Sequence, residues 1–369
     1  MSSNNTFQIA VLPGDGIGHE VMAPCLEILE EAARRVGGLS FRFKSHQAGA
    51  INYRDHGVAL PKSALDCARK ADAILLGAMG WPAIRYPDGT EIAPQLDLRF
   101  EFGLFAGVRP VRTLPSMPAI LADKRAAHLD FIVIRESTEG LFASRGKGVV
   151  TDNREARDTM VITRDVCEPL FDFAFRLARQ RKARGGKGIV ACVDKANVFA
   201  SFAFFRKVFD ERAKAFPDIR ADHAYVDATA LDMVRRPWAL DVLVTENMFG
   251  DILSDLGAGL MGGMGFAPSA DIGAEHAVFQ PCHGTAPDIA GHGKANPTAM
   301  ILSGAMMLDW LGEKHGLPEA LRAADLVRAA VDHAFEGGLK PFEIGGSDGT
   351  AEITRHILAA MDRKALEVA

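Results

Sequence analysis

The chain lacks an excess of positive charge. Its 369 residues carry 42 lysines and arginines against 47 aspartates and glutamates, a formal net charge of −5. Basic stretches such as 179–184 are short, so the clustered cations that neutralise a phosphate backbone are missing and nucleic-acid binding is not expected. Long hydrophobic runs are also missing. No segment approaches the ~18 consecutive apolar residues of a membrane span, and the polar stretch 1–6 has no basic segment followed by an apolar one, so neither insertion nor export is expected. The five cysteines (Cys25, Cys67, Cys167, Cys192, Cys282) are odd in number, scattered and without C-x-x-C spacing. That pattern argues against a disulfide framework or a zinc site and points to a reducing cytoplasm. No internal repeat or low-complexity linker separates parts of the chain. What is present is 48% hydrophobic content over a length sufficient for one large or two ordinary domains, the profile of a soluble globular enzyme.

The stretch that organises the chain is Asn247-Met248-Phe249-Gly250-Asp251-Ile252-Leu253-Ser254-Asp255. Asp251 and Asp255 are four apart, so on a helix their carboxylates lie one above the other, close enough to grip one cation. Mg²⁺ or Mn²⁺ prefers such oxygens and keeps positions open for a chelating hydroxy acid. A lone pair of this spacing is more often a solvated acidic face. The apolar, glycine-rich flank from Leu256 to Gly263 argues against that here.

Earlier, an apolar run of strand length over 7–12 ends in Pro13-Gly14-Asp15-Gly16-Ile17-Gly18, and helical spacing follows over 20–36. A dinucleotide fingerprint would need a third glycine at position 19, where His19 stands. Residues 41–47 and 71–77 read as further strands, 61–69 as a helix, and 80–94 as a loop over a cleft. Alternating β and α elements imply an α/β fold with a mainly parallel sheet and ligands at the strand ends. Arg99, Arg109 and Arg135 follow apolar segments. A guanidinium fork captures a carboxylate bidentately, so three of them suggest a di- or tricarboxylate pocket, although each alone is usually a surface ion-pair partner. Another apolar run, 188–193, leads into Lys195. A lysine there can simply reach to solvent; beside a metal it can accept a proton, because the cation disfavours its charged form.

The string 247–255 with Gly262-Gly263-Met264-Gly265-Phe266 resembles the signature of the metal-dependent β-decarboxylating dehydrogenases, which act on isopropylmalate, isocitrate, homoisocitrate and tartrate or malate. The likeness extends from Leu12-Pro13-Gly14-Asp15-Gly16-Ile17-Gly18 to Gly345-Gly346-Ser347, essentially the whole chain. It implies the two-domain isopropylmalate/isocitrate dehydrogenase-like fold, not a Rossmann fold. Residues 1–104 and 262–369 would form a large domain with the NAD site, and residues 105–261 a central one with the dimer interface and the catalytic lysine. On matching positions, Arg99, Arg109, Arg135 and Gln95 would hold the substrate; Asp227, Asp251 and Asp255 would hold Mg²⁺ or Mn²⁺, with Asp227 reaching across a homodimer. Lys195 and Asp227 would be catalytic. The glycine loop would line the nicotinamide side with Asn197, while His283, Gly284, Asp288, Ile289 and Asn296 would bind adenosine. A carboxylate at Asp288 suits a ribose 2′-hydroxyl and repels a 2′-phosphate, so NAD is expected rather than NADP.

One position departs from that pattern. The tyrosine that protonates C3 after decarboxylation is replaced by Phe142, which has no proton to give. The side-group positions Ile92, Ala93, Gln95 and Leu96 match neither isopropylmalate nor isocitrate enzymes cleanly. An isopropylmalate-like substrate is expected first, with tartrate, malate or isocitrate next and a non-catalytic regulatory subunit as the reading from another class.

Overall fold

The protein is described here by a computed structural model covering residues 5–364. Residues 1–4 and 365–369, part of the expected large domain, lie outside the described residues. The strands are β1 (Asn5–Gly14), β2 (Leu39–Ser45), β3 (Ala73–Ala78), β4 (Ala106–Arg112), β5 (Asp130–Glu136), β6 (Val149–Thr151), β7 (Glu155–Arg157), β8 (Ile189–Asp194), β9 (Arg220–Tyr225), β10 (Val242–Thr245), β11 (Pro268–Ile272) and β12 (Ala277–Pro281). The helices are α1 (Gly18–Val36), α2 (Ala50–His56), α3 (Lys62–Lys70), α4 (Pro94–Glu101), α5 (Arg164–Ala183), α6 (Ala200–Ala213), α7 (Val226–Arg235), α8 (Asn247–Met261), α9 (Thr298–His315), α10 (Pro318–Glu336) and α11 (Thr350–Lys364).

Ten strands form one sheet in the order β2-β1-β3-β12-β11-β4-β5-β10-β8-β9, and β6 pairs with β7 in a separate hairpin. Six of the neighbouring pairs are parallel. The exceptions sit together at the centre, where β12–β11, β11–β4 and β4–β5 are antiparallel. Strands from the two chain ends fill one half of the sheet and strands from 106–245 the other. β3 and β10 are buried along their whole length, the pattern of parallel strands covered on both faces. The expected strands and helices are all present with ends moved by a few residues. β4, β9, β10, β11, β12 and the small hairpin were not foreseen.

Each half has its own packing. α1, α9, α10 and α11 bury apolar faces against one another and the chain-end strands. In the other half Phe171, Phe175, Phe205 and Phe209 pack edge-on or stacked between α5 and α6, all fully buried. Burial of one such ring contributes about 2–3 kcal/mol relative to exposure.

Alternation along the strands decides what faces the cleft. On β4, β11 and β12, Arg109, Ser269, Asp271 and Gln280 point to one face, while Val108, Ala270, Ile272 and Phe279 line a separate apolar cavity with α5 and α9 on the other.

Candidate active site

The cleft is built by α8. Glu246 caps its first turn, accepting from the Phe249 N–H at 3.3 Å, and Gly262 ends it in the left-handed conformation. Gly250 lies directly on β5, and a Cβ there would come 2.6 Å from the Cβ of Arg135. Only glycine lets the helix sit this close, and that approach sets Asp251 and Asp255 beside the arginines. The glycine-rich flank in the sequence is therefore a packing surface.

Arg99 from α4, Arg109 from β4 and Arg135 from β5 converge on a cleft of about 400 Å³ that Gln95, Phe142, Asp251, Asp255, Cys282, His283 and Gly284 also line. All three arginines are buried, at 5%, 6% and 4% exposure, which excludes the surface ion-pair reading. Arg135 donates Nε to Asn247 Oδ1 at 2.9 Å and a second N–H to Asp251. Burial, with Arg99 close by, brings its guanidinium down to about 10, still charged near neutrality. Burial and the neighbouring Asp251 raise the pKa of Asp255.

The reading of the sequence missed Asp271. Fully buried on β11, it accepts from Arg99 Nε at 3.0 Å and Gln280 Nε2 at 2.8 Å and lies 3.6 Å from Arg109 Nη2. Burial alone would raise its pKa, but Arg99 and Arg109 outweigh burial and lower it, so it is ionised. A single carboxylate inside the apolar string Pro268-Ser269-Ala270-Asp271-Ile272 was the signal available, since an uncompensated buried charge is too costly to stand without a partner.

Lys195 and Asp227 are elsewhere. Lys195 Nζ donates to Asp227 Oδ1 at 2.5 Å, which lowers the pKa of that carboxyl. Neither residue lines the cleft of the same chain, and both side chains are partly or largely exposed. Among the described residues no three His, Cys, Asp or Glu side chains come together as a metal cage. One chain thus presents only Asp251 and Asp255, of the three expected metal carboxylates, at the cleft. The crowding that raises Asp255 is the kind a divalent ion relieves, so the pair fits the metal.

The glycine loop cradles no phosphate. Asp15 N, Ile17 N and Gly18 N donate to Ala78 O, Thr285 O and Asp15 O, leaving none of these amides free for a pyrophosphate. The Asp15 carboxylate itself accepts from the N–H groups of Ala50, Ile51 and Gly80 at 2.7–2.9 Å, tying the loop to the start of α2. Ile17 N reaches Thr285 O at 2.9 Å, so the loop is docked on the 282–296 segment. In that segment His283 carries its proton on Nδ1, which contacts the accepting Gly284 O at 2.8 Å. Burial lowers its pKa, leaving Nε2 a neutral acceptor with no partner. Asn296 is pinned, its Oδ1 accepting from Thr298 N and its Nδ2 donating to Glu343. Asp288 is exposed in the same turn and Ile289 is half-buried beside it. A polar acceptor, a fixed amide and an exposed carboxylate along one loop suit a nucleoside. Asn197 follows Lys195 by two residues and, like it, does not line the cleft of its own chain.

A family model described as isocitrate/isopropylmalate dehydrogenase matches residues 8–357. The chain belongs to the isocitrate/isopropylmalate dehydrogenase family. It is 40% identical over 351 residues to the 3-isopropylmalate/3-methylmalate dehydrogenase of Methanocaldococcus jannaschii, covering 95% of this chain and 97% of that one. It is 41% identical over 324 residues to the 3-isopropylmalate dehydrogenase of Moorella thermoacetica, covering 86% and 89%. Among solved structures, an isocitrate dehydrogenase from Methylococcus capsulatus superposes with a TM-score of 0.83 at 34% identity, covering 96% of this chain and 99% of that one. With family membership come its enzymatic class, an oxidoreductase of the decarboxylating dehydrogenase type, and its cofactors, NAD and a divalent metal such as Mg²⁺ or Mn²⁺.

In this family member the position expected to hold a tyrosine has its phenylalanine ring in the cleft, with the Arg135 guanidinium carbon 5.0 Å from the centroid of Phe142. Ser144 is no substitute donor: its hydroxyl donates to Thr159 O at 2.7 Å and accepts from Thr159 N at 2.8 Å. No helix among the described residues is long and apolar enough to cross a membrane, and all five cysteines are free.

Proposed function

We propose that the protein oxidises a 3-substituted malate with NAD and a divalent metal, as a 3-isopropylmalate dehydrogenase-like enzyme. The convergence of Arg99, Arg109 and Arg135 with Asp251 and Asp255 on one cleft carries this reading. Relatives named 3-isopropylmalate dehydrogenase, near 40% identity over nearly their whole length, support the substrate class.

The arginines grip the two carboxylates of the malate core and fix C2 toward the nicotinamide side. Asp251 and Asp255, with Asp227 of a second copy, would hold a divalent metal, which when bound would supply Lewis acidity at the C2 oxygen, and NAD would be the hydride acceptor. Lys195 of that second copy, as the neutral amine, would take the hydroxyl proton, and Asp227 would hold the ammonium that forms. His283, Asp288 and Asn296 bind the adenosine, with Gly284 and Ile289 shaping the loop and Asn197 on the nicotinamide side. Gln95 faces the C3 substituent.

The placement of these groups supports a homodimer as part of this reading. The exposed apolar residues Leu231, Val234 and Ile252 on α7 and α8 offer the surface for it. In this reading the cleft lies between a large unit, 1–104 with 262–369, and a central unit, 105–261, a division supported by the placing of strands from the two chain ends in one half of the sheet. The unpaired thiols suit a cytoplasmic enzyme.

A second reading, oxidation of tartrate or malate without loss of CO₂, is favoured by Phe142 and by the engaged Ser144 hydroxyl, which leave no obvious C3 proton donor. The test is an assay of purified protein with NAD, Mn²⁺ and a panel of 2-hydroxy diacids, with and without excess chelator. NADH formation from at least one diacid, abolished by chelator, is expected; full activity in chelator refutes the metal assignment.

A further inference from the structure

The three cleft arginines carry three positive charges, and one is neutralised from within. Asp271 sits behind them at 3.0 Å from Arg99 and 3.6 Å from Arg109, at 1% exposure, so solvent screens it little and substrate cannot displace it. Asp251, which also pairs with Arg135, and Asp255 add two negative charges that a bound divalent ion would balance; with that ion in place, the arginines and Asp271 leave two net positive charges toward the ligand, matching the two carboxylates of a malate. A third carboxylate on the C3 substituent would find no further cation from the chain that forms the cleft, since among the described residues lining it there is no lysine and no fourth arginine, and Lys195 of the second copy is assigned to the C2 hydroxyl. Beside the C3 side lie Ala93, Gln95 and Leu96, which are uncharged, and Glu91, which would repel it. The Oε1 of Gln95 is buried without a partner and can accept from a neutral group but not from a carboxylate.

We propose that Asp271 is a specificity-determining residue: by neutralising one arginine of the clamp, it selects doubly charged over triply charged 2-hydroxy acids. This rests on the functional reading above and adds to it the charge class of the substrate and the residue that sets it. Asp271 acts through Arg99 and Arg109, so its signature is a change in the ratio of affinities and not merely a loss of activity.

The experiment compares 3-isopropylmalate and malate as doubly charged ligands with isocitrate as the triply charged one. Calorimetric Kd values with Mn²⁺ at fixed ionic strength, and kcat/KM with NAD, are measured for wild type, Asp271→Asn and Asp271→Asn/Gln280→Glu. Asparagine keeps the shape and one acceptor but removes the charge, so the preference for the doubly charged ligand should shrink by at least about tenfold. Gln280 Nε2 lies 2.8 Å from Asp271, so a glutamate there returns a carboxylate to nearly the same place and should restore the preference. Should Asp271→Asn not fold, Gln280→Glu alone adds a second negative charge and should widen the preference. If the affinities fall together with an unchanged ratio, or if Gln280→Glu leaves the ratio unchanged, Asp271 is only structural and the inference is overturned. Wild type that neither binds nor oxidises any doubly charged ligand overturns the functional reading and this inference with it; an active wild type with no ratio effect overturns this inference alone.

Discussion

Replacing Phe142 with tyrosine tests how the last chemical step proceeds. The substitution adds one oxygen to a ring that already lines the cleft, in a space of about 400 Å³ that accommodates it without displacing the backbone. The Arg135 guanidinium, 5.0 Å from the ring centroid, favours a phenolate and so makes the new hydroxyl a stronger acid than a free tyrosine. Positioned general acids typically contribute about 10²–10⁴-fold when their step limits the rate. Ser144 is not free to donate while its hydroxyl is held at both ends by Thr159, so a wild type that decarboxylates would be left with water as the C3 proton source. If the enzyme decarboxylates, Phe142→Tyr should therefore raise turnover by at least about tenfold, a fraction of the full general-acid factor. The assay is CO₂ released per NADH formed, together with kcat, for both proteins. A pure dehydrogenase releases no CO₂ and gains nothing. Stoichiometric CO₂ release at a rate the variant leaves unchanged would refute the reasoning, because the missing phenol would then cost nothing.

Three further outcomes are expected. Changing Asp288 to lysine together with Ile289 to tyrosine removes repulsion against a 2′-phosphate and supplies a cation, so the kcat/KM ratio should move from NAD toward NADP; a wild type that already prefers NADP refutes the assignment of the loop. Burial raises the Glu136 carboxyl to about 7 from an ordinary 4.5. Between those values the native state keeps a proton that the unfolded state has released, so this residue makes stability fall as pH rises through that window and adds nothing further above it. Glu136→Gln should be level with wild type near pH 4 and more stable by about 3 kcal/mol near pH 8, read from urea unfolding across pH; equal stability at both ends would contradict it. Lys195→Ala and Asp251→Asn homodimers should each be inactive, and unfolding and refolding them together should recover about a quarter of wild-type activity, since each mixed dimer holds one intact site. No recovery would place Lys195 and Asp251 in the same chain's site.

The candidate site residues were legible in the sequence because their signals are local. Asp251 and Asp255 declare themselves by helical spacing, the arginines by standing in or beside apolar segments, and His19 by breaking a fingerprint within six residues. Strand and helix positions followed for the same reason, since periodicity is a property of neighbours along the chain. The antiparallel centre of the sheet was not legible. β11 and β12 have five residues each, too few to alternate recognisably, and the pairing of β11 with β4 joins segments about 160 residues apart. Asp271 was missed on the same account, because its meaning lies in Arg99 and Arg109, which only the fold brings to it. The separation of Lys195 and Asp227 from the cleft of their own chain is likewise a matter of distance in space. The sequence by itself determined which side chains are available and the elements they ride on. The tertiary structure alone decided which of them meet, because contacts between distant segments depend on strand order and on the close approach that Gly250 allows α8, and neither is written in local spacing.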